Sequence, residues 1–272
     1  MPPRPMGPQP WSFSPATFRA QSYGPSIVDT LSDTWDGTPL DAESRGWSFF
    51  GESLVVTQTI ANGELDLEIG AGGAGGAFWF DRNDGMLLHK EITGPFDARQ
   101  RCRIRNTANN ANPPVTQFRI AGLAVHNPDR TGGIYNYLHI GAGSTNAAGN
   151  SVEWKTTDDD GGASADVSAF SFVNWGTDPL DIDLRIIRRA SDLQVFDLLW
   201  RPTAGDLLSS DDWNALITVD RADNTTPDRN GNGAGADLAV ELPDTVQVGP
   251  TIYAQGITHD IRMQVLESRF II

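Results

Sequence analysis

The 272 residues carry 35 acidic and 20 basic side chains, a formal net charge of −15 with histidine neutral. That charge works against attraction to nucleic acid or an anionic membrane and favours neutral partners such as sugars and protein surfaces. Cys102 is the only cysteine, so no intrachain disulfide forms and a core must hold the fold. The 28 glycines and 17 prolines, with short apolar runs and little helical periodicity, predict strands joined by turns.

The chain opens on "MPPRPMGPQPWSFSPATF". Pro2, Pro3, Pro5, Pro8, Pro10, Pro15 and Pro25 exclude a helix or a central strand, so residues 1–28 are expected to be an extended proline-rich arm. Such an arm is ordered by docking, and Trp11, Phe13, Phe18 and Tyr23 are its candidate contacts with a neighbouring chain of an assembly. In the plainer alternative the same rings fold back on their own domain. The segment has no continuous apolar stretch of the secretory kind, and no apolar run in the chain is long enough to span a membrane. A chain made in the cytoplasm, with no signal peptide or transmembrane segment, is expected.

Residues 29–272 are expected to form one sandwich domain. "GELDLEI" puts Leu65, Leu67 and Ile69 on one face, and "LDIDLRII" does so with Leu180, Ile182, Leu184 and Ile186, the pattern of half-buried strands. The "GAGGAG" between residues 70 and 75 resembles a dinucleotide fingerprint only superficially, because another strand-like run, "AFWF", follows where a helix is needed. "FDARQRCRIR" places Phe96, Ala98, Gln100, Cys102 and Ile104 inward and Arg99, Arg101, Arg103 and Arg105 outward. Glu64, Asp66, Glu68, Asp181 and Asp183 are available to pair with that arginine stripe, so a solvated salt-bridge face is preferred to an anion site.

Further strands are predicted at 118–125, 134–140, 151–157, 193–200, 215–222 and 259–272, with loops at 70–76, 106–114, 141–150, 158–164 and 223–237. One short helix is predicted around "SSDDWNAL". Strands about ten residues apart make an antiparallel sandwich or jelly roll.

These segments, in order, resemble a known family. "DTWDGTPLDAESRGWSFFG" followed by "NGELDLEIG", then "LLHKEITGPFDARQRCRI", "IAGLAVHNPD", "DIDLRIIRRASDLQVFDLLWRP", "DDWNAL" and "VGPTIYAQG", is similar to the run of short motifs in concanavalin A-like lectin/glucanase domains. The resemblance spans residues 33–270. It implies an all-β, two-sheet antiparallel jelly-roll sandwich of a type used for glycan binding in lectins, hydrolase-attached modules, adhesins and phage particles. The expected role is a non-catalytic structural or surface-recognition component of a larger assembly. A phage virion accessory of the head, tail or fibre, with lectin-like capacity, is the leading form. The alternatives are a free carbohydrate-binding protein and a retaining glucanase.

The glucanase alternative rests on "ELDLE", because retaining members of this superfamily carry E-x-D-x-E on one strand, with the two carboxyl groups about 5–5.5 Å apart. Here the motif lies on what resembles the first strand of the domain, far upstream of its place in the glucanases, and alternating carboxylates also mark an ordinary solvent-facing strand. The histidines, His89, His126, His139 and His259, lack metal-ligand spacing.

For binding, "IYNYLHI" sets Tyr135, Tyr137 and His139 opposite Ile134, Leu138 and Ile140, offering rings for sugar CH faces and a polar group for hydroxyls. Trp154 and Trp79 are weaker platform candidates. In "DRNGNGAGAD", Asp228, Asn230 and Asn232 lead to Gly233 as in the first half of a calcium loop, but Ala239 occupies the position of the bidentate glutamate. Asp237 and Asp223 are candidates to complete a different oxygen cage, and calcium is the only cofactor the sequence suggests. A hairpin loop built on Asn and Gly explains the same residues.

Overall fold

A computed structural model describes residues 31–38, 41–51, 55–69, 85–129, 136–146, 149–158, 167–174, 180–222, 241–254 and 261–272. The proposed arm, the segment 223–240 with its calcium motif, Tyr135, Trp79 and His259 lie outside these residues. Among the described residues the strands, in chain order, are β1 (Ser48–Phe50), β2 (Val55–Ala61), β3 (Glu64–Ile69), β4 (Met86–Thr93), β5 (Phe96–Asn106), β6 (Arg119–His126) and β7 (Tyr137–Asn146). They continue with β8 (Gly149–Asp158), β9 (Val167–Asn174), β10 (Leu180–Arg188), β11 (Val195–Pro202), β12 (Asn214–Asp220), β13 (Thr245–Ala254) and β14 (Ile261–Ile271).

Two antiparallel sheets result. The first sheet runs β1-β4-β13-β6-β7-β8-β9 and the second β12-β11-β10-β5-β14-β3-β2, seven strands each. Period-two patterning decides which side chains meet between them. From the second sheet Leu65, Leu67, Cys102, Ile104, Ile182, Leu184, Ile186, Met263 and Val265 face inward. They pack on Leu88, Leu123, Val125, Leu138, Ile140, Val152, Trp154, Val246 and Val248 of the first. The expected inward faces of β3, β5 and β10 are therefore found. Gln100 is the polar member of the inward stripe on β5, and its Nε2 donates to the Gly122 carbonyl of the facing sheet at 3.1 Å. Burial raises the Cys102 thiol to about 12, so it stays protonated and inert.

Two expectations are corrected, and one strand was not foreseen. Residues 141–146 and 149–150, read as loop, continue β7 and begin β8. Small residues are needed there because β6 crosses close by: a Cβ on Gly143 would lie 1.9 Å from the Arg119 carbonyl oxygen. The short helix predicted at "SSDDWNAL" is absent. Asp212 has a positive φ of 62°, which breaks a helix, and β12 follows from Asn214. The one helical turn among the described residues is a 3-10 turn at Glu43–Arg45. Finally β13, a central strand of the first sheet, contains Gly249-Pro250, a pair that normally signals a break. Gly249 admits the close approach of β4, since a Cβ there would sit 2.0 Å from the Leu88 carbonyl oxygen.

The outer face of the second sheet carries the expected arginine–carboxylate pairs, but it is not the solvated face predicted, because Arg99, Arg105 and Asp183 are buried. Cross-strand register sets Arg101 beside Asp183 and Arg103 beside Asp181. Arg101 bonds Asp183 at 2.8 Å, Arg103 bonds Glu64 at 2.7 Å, and Arg105 pairs with Asp181. Asp97 accepts from both Arg99 and Arg185 at 2.7 Å. Trp213 lies among three guanidinium groups, its ring centroid 4.4 Å from Arg201, 5.4 Å from Arg185 and 5.9 Å from Arg99. The loop before β12 is held by the same arginines, which donate to the carbonyls of Asp206, Leu207, Ser209 and Asp211.

Candidate functional site

The outer face of the first sheet has a different chemistry. Alternation along β7 turns Leu138 and Ile140 inward and leaves Tyr137 and His139 on the outer side. On β8 it turns Val152 and Trp154 inward and sets Glu153 and Lys155 outward. β6 contributes His126 and β13 contributes Tyr253. The register pairs His126 with Tyr137 and His139 with Lys155, while Glu153 lies opposite Gly141, diagonal to His139.

These side chains form a continuous cluster. His126 and Tyr137 stack with centroids 5.7 Å apart, Tyr137 and His139 stack at 6.1 Å, and His139 meets Tyr253 at 6.2 Å. The Lys155 ammonium lies 5.3 Å from the centre of the Tyr253 ring. His139 Nε2 approaches Glu153 Oε1 at 3.9 Å, too far for a hydrogen bond, and that buried nitrogen has no hydrogen-bond partner. Leu87, Ile120 and Ala124 surround the rings, with Phe50 and Phe118 packed against them. The polar members are buried despite facing away from the core: His139 is 2 % exposed, Glu153 4 % and Lys155 1 %.

Burial sets the protonation states. It drives the His139 imidazole down to about 3, aided by the charge of Lys155, and pushes the Glu153 carboxyl up to about 8 against the pull of Lys155. His139 is therefore neutral near pH 7, and burial favours the protonated form of Glu153. Each shift has its own sign for stability. Glu153 binds its proton more tightly folded than unfolded, so its contribution is lost as pH rises from 4.5 through about 8. His139 is depressed, so its contribution is lost as pH falls from 6.5 towards about 3. Between pH 6.5 and 8 only the Glu153 effect operates within this pair. We expect the thermal midpoint of the wild type to fall across that interval and the Glu153→Gln variant to show a flatter profile. Parallel profiles would mean that Glu153 is ionised throughout.

Of the sugar-binding candidates, the structure brings Tyr137 and His139 together and places Trp154, 1 % exposed, in the core on the opposite side of β8. Tyr135, the calcium candidates Asp228, Asn230, Asn232 and Asp237, and the arm residues Trp11, Phe13, Phe18 and Tyr23 fall outside the described residues. Sequence reasoning missed Glu153, Lys155, His126 and Tyr253. Glu153 and Lys155 flank Trp154 in "SVEWKTT", so alternation alone would have offered either set, and only the register says which faces outward. Tyr253 was obscured by the Gly-Pro pair before it.

Glu64 and Asp66 of "ELDLE" are engaged elsewhere. On the outer face of the second sheet Glu64 binds Arg103 at 2.7 Å and Gln264 at 3.1 Å, and Asp66 pairs with Arg262. Among the described residues no group of three or more His, Cys, Asp or Glu side chains is placed to hold a metal ion.

No protein-family model and no curated protein matches the chain. Solved structures do. A functionally unknown protein from Saccharomyces cerevisiae matches with a TM-score of 0.52 at 15 % identity, over 83 % of this chain and 95 % of that one. A legume lectin-like domain from Entamoeba histolytica gives 0.49 at 11 % identity, over 91 % and 99 %. The CBM2 module of the evolved Dit of Lactobacillus casei BL23 phage J-1 gives 0.45 at 11 %, over 89 % and 94 %. At 15 % identity the first of these likenesses is one of fold alone, and the chain's own two antiparallel sheets form an all-β sandwich in keeping with a jelly roll.

Proposed function

We propose that this chain is a non-catalytic carbohydrate-recognition sandwich whose ligand meets the outer face of the first sheet. One observation carries the reading: that face gathers Tyr137, Tyr253, His126, His139, Glu153 and Lys155 into a single buried cluster. Burying ionisable groups on a sheet face costs stability that leucine or valine would not, and such costs concentrate where a protein binds or reacts. Flat rings beside donors and acceptors suit a saccharide, which presents CH faces and hydroxyls together. The net charge of −15 suits a neutral ligand.

Calorimetric titration of neutral oligosaccharides tests this. The wild type should bind at least one, and Tyr137→Leu, which keeps apolar volume but removes the ring, should weaken binding about tenfold. Equal affinity of the folded variant would move the site elsewhere.

The finer reading is a virion accessory protein anchored by residues 1–28. Its support is the density of proline in that segment, with Trp11, Phe13, Phe18 and Tyr23 as contacts. Deleting 1–28 should leave a cooperatively folding sandwich that no longer enters particles. Normal incorporation of the shortened chain would remove the arm from the account.

A further inference from the structure

The outer face of the first sheet is shielded within a single chain. Tyr137 and Tyr253 are each 2 % exposed, and among the described residues Phe50 and Phe118 are the apolar side chains packed on their cluster. A sheet buried on both faces needs a layer of chain on each. The second sheet is one of these layers.

We infer that the proline-rich arm, residues 1–28, is the other: it docks on the outer face of the first sheet of its own chain, with Trp11, Phe13, Phe18 and Tyr23 set against Tyr137, Tyr253 and the rings of His126 and His139. The point where the arm joins the sandwich lies beside β4. Leu31 packs on the core, and the Ser32 hydroxyl accepts from the Phe270 amide at 3.1 Å. The Phe270 ring is 5.9 Å from that of Trp47, and the Trp47 ring is 5.0 Å from the Lys90 ammonium on β4. Leu87 of the same strand belongs to the outer cluster, so the arm starts at the rim of that cluster. Extended, 28 residues reach about 90 Å, against about 10 Å between stacked sheets, so length is no obstacle.

Charge favours the same partner. The arm carries Arg4 and Arg19 and no acidic residue, so all 35 acidic side chains lie in residues 29–272. Glu91 on β4 and Asp129 just after β6 are exposed beside the cluster. Proline-rich segments dock on aromatic-lined faces because their extended form exists before binding and little freedom is lost. As the cover itself, the arm needs no opening to reach these rings. Docking of the arm does not depend on saccharide binding, and the two compete for one face.

The test uses the full chain with isotope-labelled histidine and one nitroxide. Cys102 is buried, so a Ser14→Cys variant takes the nitroxide on the arm alone. The Cε1–H resonances of His126 and His139, assigned through their absence in His126→Gln and His139→Gln, report the outer face of the first sheet. The Trp213 indole N–H, assigned through Trp213→Phe, reports that of the second. The expected result is loss of both histidine signals while the Trp213 signal is kept, with both restored when the nitroxide is reduced. Changing Trp11 and Phe13 to Ser in the same labelled chain should also restore them. Histidine signals that survive the nitroxide, or loss of the Trp213 signal alone, would overturn the docking whatever saccharide titrations show. In a mixture of nitroxide-bearing chain without isotope and isotope-labelled chain without nitroxide, the histidine signals should persist. Their loss in that mixture would mean that the arm reaches a second copy, overturning docking within one chain.

Discussion

Alanine at position 183 is expected to destabilise the protein by about 3–5 kcal/mol, because removing one partner of a buried ion pair leaves the other charges uncompensated. The Asp183 carboxylate is fully buried. It accepts from Arg101 at 2.8 and 3.0 Å and from Arg201 at 3.0 Å. The damage should spread, because Arg201 also donates to the carbonyls of Asp206 and Asp211 and packs against Trp213. Urea denaturation measures the effect. A double variant, Asp183→Leu with Arg201→Met, should recover part of the loss, since apolar replacement of a buried pair is often neutral or better. A cost below about 1 kcal/mol for Asp183→Ala would class the contact with ordinary surface pairs.

Trp154→Ala should be of similar size, about 3–5 kcal/mol, through a cavity between the sheets and not through lost binding. Trp154 sits in the core cluster with Leu138, Ile140 and Val152 at the middle of the sandwich. The midpoint of denaturation should fall while the slope with denaturant stays the same, because the surface exposed on unfolding is little changed. Unchanged stability with lost saccharide binding would return Trp154 to the role of a platform.

The sequence was legible where period-two alternation met a single rule. β3, β5 and β10 each carry apolar residues on one side and charge on the other, so their inward faces and the pairing of the arginine stripe followed directly. Legibility failed where side-chain pattern and backbone need diverge. Gly141 and Gly143 look like loop residues, yet they sit mid-strand because β6 leaves no room for a Cβ. Gly249-Pro250 looks like a break, yet it lies inside a central strand. The "SSDDWNAL" stretch offers a helix cap, but Trp213 is drawn among the arginines, and its indole N–H donates to the Ser209 carbonyl at 3.0 Å.

The candidate site was half legible for a related reason. Tyr137 and His139 are visible as an aromatic and polar stripe within one strand. Their partners come from three other strands, up to 116 positions away in the case of Tyr253 and Tyr137. Pairing order across β13-β6-β7-β8 brings them together, and no local pattern encodes that order. The buried state of the stripe was equally hidden, because Glu153 and Lys155 read locally as the polar half of an exposed strand.

Hydrogen–deuterium exchange in the presence of a bound oligosaccharide tests the central claim most directly. Recognition at the outer face of the first sheet predicts ligand-dependent slowing of exchange in peptides spanning 136–142 and 151–156, with 96–105 of the second sheet unaffected. Slowing confined to the second sheet or to segments outside the first, with 136–142 and 151–156 unchanged, would contradict it.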